Sequence, residues 1–161
     1  VSESVALEST DKAARYAELL PQLASLVEGE PDLVANLANL TAALRVCVPS
    51  ASWIGFYIAR QGELVLGPFQ GNVACVRIKF GKGVCGTAAA EQRTVIVPDV
   101  ELFPGHIACD TGSRSEIVVP IVRAGAVVAV LDLDSYDLAA FDDIDAAGLA
   151  PIAALAAQFA W

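Results

Sequence analysis

Leu33, Leu37, Leu40 and Leu44 recur at spacings of 4, 3 and 4, which draws one apolar stripe along a helix. Pro31 suits the first position of that helix and Asp32 its first turn, and the pattern stops before Pro49. Upstream, Thr10 is placed to cap a helix starting at Asp11, with Leu19 and Leu20 on its apolar side. Pro21 kinks or restarts that helix, whose pattern runs on to Gly29. The period then changes. Trp53 to Ala59 is rich in aromatics and isoleucine and reads as a strand, Gln61-Gly62 as a turn, and Glu63 to Leu66 as the returning strand. Further strands are expected at Cys75 to Phe80, Thr94 to Val97, Glu116 to Val122 and Ala126 to Asp134. A glycine-rich loop, Gly81 to Gly86, leads into a short helix over Thr87 to Gln92. Asp142 is placed to cap a last, alanine-rich helix with Pro151 as its kink. Helices at both ends of a run of hairpin-like strands predict one α+β domain. Its N-terminal helices cover about 10–46, a mainly antiparallel sheet with its loops about 52–135, and the C-terminal helix about 142–160.

Length and composition narrow this picture. A chain of 161 residues fits one domain with its own core and needs no staples to fold. Ten basic against nineteen acidic residues leave a net charge of −9, which argues against nucleic acid or an anionic membrane as partner. The longest uncharged stretch, Ala146 to Trp161, is too short and too broken to span a bilayer. Without a basic start before an apolar run, no signal peptide is read, and the expected location is the reducing cytoplasm. There, cysteines are more often free, metal-bound or catalytic than structural bridges.

Two carboxylates interrupt the most apolar strand. Side chains alternate across a strand, so Asp132 and Asp134 share a face with Val128 and Val130. They mark either the strand's emergence into solvent or the floor of a pocket for a cationic or proton-donating ligand group. Trp53 and Tyr57 also share a face, and their polar tips suit a pocket mouth as well as a core. Glu116 opens a third strand and, taken alone, is an ordinary strand-start acid.

Gly81 to Gly86 matches a dinucleotide-binding glycine pattern, but the helix after it is too short for the βαβ unit that chemistry needs. The loop has another consequence: Cys85 lies near a helix N-terminus, where a thiolate is favoured. The spacings of Cys47, Cys75, Cys85 and Cys109 contain no Cys-x-x-Cys knuckle and His106 is the only histidine, so no structural zinc site is expected. Cys109 sits on a loop of turn-forming residues, a setting for an exposed, reactive thiol, and His106 is three residues away. Cys47, between two valines, reads as a core residue.

These segments together resemble the free methionine-(R)-sulfoxide reductase family, which is built on a GAF domain. The resemblance is carried by Trp53 to Tyr57, Leu66 to Gly71, Ala74 to Ile78, Gly81 to Thr87, Gly105 to Asp110, Ser113 to Pro120 and Val130 to Ser135. It extends over roughly residues 15–150 and implies a single GAF domain with a mainly antiparallel sheet flanked by helices. It also implies thiol-dependent reduction of free methionine (R)-sulfoxide through a cysteine sulfenic acid and an intramolecular disulfide, recycled by thioredoxin, with no organic cofactor or metal. In that reading Cys109 is the catalytic cysteine, and Cys75 and Cys85 resolve and recycle it, in an order left open. A Cys75–Cys109 disulfide is expected after one turnover. Glu116, Asp132 and Asp134 take the places of the carboxylates around the sulfoxide and amine, and Trp53 and Tyr57 those of the aromatic wall. The alanine-rich C-terminal helix with Pro151 departs from the family. Because GAF domains often pair through terminal helices, the resemblance also implies a homodimer by analogy. The competing classes are a non-catalytic GAF ligand or redox sensor and an enzyme acting on sulfoxides within proteins.

Overall fold

The computed structural model describes residues 4–161. Among them, six strands form one sheet in the order β3-β2-β1-β6-β5-β4, every neighbouring pair antiparallel. The strands are β1 (Trp53–Arg60), β2 (Glu63–Gln70), β3 (Arg77–Lys79), β4 (Val95–Val97), β5 (Ser115–Arg123) and β6 (Ala126–Ser135). The helices are α1 (Lys12–Val27), α2 (Leu33–Cys47), α3 (Gly83–Glu91) and α4 (Asp143–Ala156). No helix among the described residues is long and apolar enough to cross a membrane.

Two-residue turns set the outer hairpins. Gln61-Gly62 and Ala124-Gly125 all have positive φ, the geometry whose twist matches a hairpin and in which glycine carries no penalty. Alternation then divides the sheet into two faces. Ile54, Phe56, Ile117, Val119, Leu131 and Leu133 point into the larger core, against α1, α2 and α4. Trp53, Tyr57, Val118 and Val130 point the other way, against α3 and the loops.

Several boundaries differ from the pattern reading. Asp11, not Thr10, caps α1 by accepting from the Ala14 amide, and the helix passes through Pro21 to Val27. Asp32 is the cap of α2, accepting from Ala35, so that helix opens at Leu33 rather than Pro31. In both cases a carboxylate reaches the amide three residues on and supplies the acceptor that the first turn lacks. β2 continues past Leu66 to Gln70, and β3 covers only Arg77–Lys79, leaving Cys75 in the loop before it. α3 begins at Gly83 instead of Thr87 and takes up most of the glycine-rich segment. Asp142 caps α4 as read, in a reciprocal capping box with Asp145. Asp145 is fully buried, accepts from the Tyr16 hydroxyl at 2.8 Å and pairs with Lys12 at 2.7 Å, fastening α1 to α4.

Candidate active site

Register assembles the site. Glu116 on β5, Asp134 on β6 and Trp53 on β1 lie side by side in one row across the sheet. Val118, Asp132 and Gly55 form the next row. Directly opposite residues share a face, so three acids from two strands meet beside one indole. Gly55 is needed here because a Cβ would collide with the Trp53 ring and the Phe69 Cβ. The indole therefore lies across the sheet, stacked on Phe69 at 5.3 Å and on Tyr57 at 5.9 Å between ring centroids.

Two loops close over this floor, the β2–β3 loop with Cys75 and the segment before β5 with Cys109. The two sulfurs form a disulfide, with Cα atoms 5.2 Å apart. Polar contacts clamp both loops. The Tyr57 hydroxyl donates to the Cys75 carbonyl at 3.0 Å, and the Trp53 indole N–H to the Asn72 carbonyl at 3.0 Å. Asp110 accepts from the Tyr136 hydroxyl at 2.8 Å and from the Gly112 amide at 2.9 Å. Between floor and loops remains a pocket of about 30 Å³.

Burial governs the electrostatics. Glu116, Asp132 and Asp134 all have pKa values well above the ordinary carboxylate range, first through desolvation and then through the neighbouring acid. Among the described residues no lysine or arginine pairs with them, and Oδ1 of Asp132 is buried without a hydrogen-bond partner. Burial and crowding of this kind favour the protonated form, in which a carboxyl group can donate a proton. Cys85, in the first turn of α3, points into the same cluster with Sγ 3.9 Å from Glu116 Oε1. Its pKa is also pushed well up, by burial and then by Asp132 and Glu116. The expectation of a favoured Cys85 thiolate is thus overturned: a helix N-terminus offers about 0.3–1 kcal/mol, less than full burial beside acids removes.

All eight site residues read from the sequence line this pocket or its closing loops: Trp53, Tyr57, Cys75, Cys85, Cys109, Glu116, Asp132 and Asp134. Cys47 is apart, buried in the helical core with its thiol pushed up to about 11 by burial. His106 is a residue the sequence reading did not place. It is largely buried, with Nε2 3.6 Å from Glu116 Oε2, and burial lowers its pKa, so two neutral groups meet there. Asn72 and Tyr136, which hold Asp110, were also unforeseen; no local pattern announces them.

A six-stranded antiparallel sheet with its pocket on one face and helices on the other defines a GAF domain, and residues 32–159 match that domain family. The chain is 45% identical over 144 residues to the free methionine-R-sulfoxide reductase of Escherichia coli, covering 89% of this chain and 87% of that protein. The yeast Saccharomyces cerevisiae enzyme of the same name is 45% identical over 146 residues, covering 86% and 81%. The X-ray structure of free methionine-R-sulfoxide reductase from Neisseria meningitidis in complex with its substrate superposes with a TM-score of 0.94 at 48% identity, covering 98% of this chain and 95% of that one. The chain belongs to the free methionine-R-sulfoxide reductase family of GAF domains.

Proposed function

We propose that this protein reduces free methionine (R)-sulfoxide to methionine, with Cys109 as nucleophile and Cys75 as resolving thiol. The observation that carries this reading is the Cys75–Cys109 disulfide set over three buried carboxyl groups whose pKa values burial and mutual repulsion raise. Relatives at 45% identity that bear the name free methionine-R-sulfoxide reductase support it.

A sulfoxide is a poor electrophile until its oxygen accepts a proton, and Glu116 or Asp134 in its acid form donates one. The Cys109 thiolate attacks the protonated sulfoxide at sulfur, the substrate S–O bond breaks as the hydroxyl passes to Cys109 Sγ, methionine leaves with the electron pair on its sulfur, and Cys109 is left as a sulfenic acid. The Cys75 sulfur then attacks Cys109 Sγ. The S–S bond forms, the S–O bond breaks, and the sulfenic oxygen, which already carries the proton given by the pocket acid, takes the Cys75 proton and leaves as water. In balance, one sulfoxide and two thiols become one sulfide, one disulfide and one water. A dithiol protein such as thioredoxin restores the thiols by exchange, and the cycle uses neither organic cofactor nor metal. Trp53 and Tyr57 wall the methylthioethyl chain, while Asp132 with a second carboxyl, ionised once the substrate's positive charge lies beside them, holds the ammonium. A methionine sulfoxide inside a peptide has its nitrogen in an amide and carries no such ammonium, which excludes an internal residue. The reductant and the reduced thiols fit a cytoplasmic location.

The test is turnover coupled to thioredoxin with free R-sulfoxide, free S-sulfoxide and a sulfoxide-containing peptide side by side. Only the free R form is expected to react. Equal turnover of the peptide would overturn the substrate assignment.

A further inference from the structure

Of the three thiols at the site, the reaction above gives Cys85 no step. Cys85 is 3% exposed and outside the disulfide. Its Sγ and one oxygen each from Glu116 and Asp132 all lie within 4.8 Å of one another. Sγ is 3.9 Å from Glu116 Oε1, and the other Glu116 oxygen is 3.6 Å from His106 Nε2. Zinc binds sulfur at about 2.3 Å and nitrogen or oxygen at about 2.0–2.1 Å in a tetrahedron, so neighbouring ligand atoms stand roughly 3.3–3.6 Å apart. The Cys85–Glu116 edge is within about 0.4 Å of that frame; His106 meets the other Glu116 oxygen and needs a side-chain rotation to join it.

A second observation points to a ligand here. Asp132 is 5% exposed, and its Oδ1 has no hydrogen-bond partner although it belongs to this cluster. A buried acceptor left in that state is costly, and a cation would relieve it. One thiol, one imidazole and two carboxyl groups suit zinc, cobalt or cadmium rather than magnesium or calcium. The ligands come from α3, β5, β6 and the loop before β5, so no Cys-x-x-Cys spacing announces them. His106, with 16% of its side chain exposed, is the one member of this group that reaches solvent to that extent, Cys85, Glu116 and Asp132 being buried.

We propose that Cys85, Glu116 and Asp132, with His106 brought in by a side-chain rotation as fourth ligand, form a site for a thiophilic divalent cation of the zinc class that excludes the substrate. Cation binding stands on this geometry alone; the exclusion rests on the proposed function, which assigns Glu116 and Asp132 to the substrate.

Cobalt(II) titration of the disulfide-bonded chain, whose thiols are Cys47 and Cys85, tests the site. One equivalent should give a thiolate-to-cobalt charge-transfer band that zinc displaces. Cys85→Ser should abolish the band and weaken zinc binding at least ~10-fold, while Cys47→Ser should keep both. Glu116→Gln should weaken zinc binding by a similar factor, which decides the matter if the Cys85 variant misfolds. No band, or a band that survives Cys85→Ser, overturns the site. In turnover, zinc should compete with free methionine sulfoxide; cobalt binding without such competition overturns the exclusion. A chain that binds cobalt as described but turns over no sulfoxide retains the site and loses the proposed function.

Discussion

The Tyr57 hydroxyl, on the floor strand, holds the carbonyl oxygen of Cys75, on the closing loop, at 3.0 Å. One side chain thus walls the pocket and, in the proposed cycle, positions the resolving thiol. A neutral hydrogen bond of this kind contributes about 1 kcal/mol, roughly fivefold in a rate if it is needed for closure. Tyr57→Phe should slow formation of the Cys75–Cys109 bond by about that factor while the fold survives. Rapid-quench thiol counting after one turnover measures it, and an unchanged closing rate would remove Tyr57 from this role.

Cys75→Ser should stop the cycle one step late. The variant should release one methionine per chain and leave Cys109 as a sulfenic acid, trapped by dimedone and located by peptide mapping. A Cys85–Cys109 bridge in its place would show that Cys85 resolves just as well. Cys109→Ser should release no methionine at all.

Gly55 is the position over which the Trp53 indole lies. Gly55→Ala should drive the ring off the sheet, at a cost of about 1–3 kcal/mol in stability. Urea unfolding reads that cost, and steady-state kinetics should show a raised KM. A variant with parental stability and KM would mean that the indole has room to shift freely.

The three pocket acids make stability depend on pH in a definite direction. Their folded pKa values lie well above the ordinary 3.8 of aspartate and 4.5 of glutamate. Between the ordinary and the raised values the folded chain holds more protons than the unfolded one, so stability falls as pH rises through that window. Asp132→Asn removes one contributor. It should melt higher than the parent at neutral pH, show a shallower decline of Tm with pH, and lose at least ~10-fold in turnover. A lower melting temperature at neutral pH would mean that Asp132 is satisfied in a way the carboxyl cluster does not provide.

Strand alternation made part of the site legible in the sequence, because Asp132 and Asp134, two residues apart, must share a face. Register is not a local property, so the row that sets Glu116 beside Asp134 and Trp53 had to come from the fold. Cys75 and Cys109, 34 residues apart on two loops, were linked by family resemblance and not by any spacing rule. His106 was hidden for the same physical reason: a loop histidine looks solvated until the loop folds back onto a strand. The helix ends at Asp11 and Asp32 turned on which side chain reaches a free amide, a choice among adjacent capping residues that periodicity does not resolve.

The pocket of about 30 Å³ beneath the Cys75–Cys109 bond has room for a water or two and none for an amino acid. In the proposed cycle the molecule therefore works as a turnstile. While its sulfurs are joined, neither fresh sulfoxide nor spent methionine can jam it, and each passage is cleared by a new pair of electrons. On that reading the chains queue in the closed position under heavy oxidation, and the supply of reducing equivalents, rather than the abundance of damaged amino acid, sets the throughput.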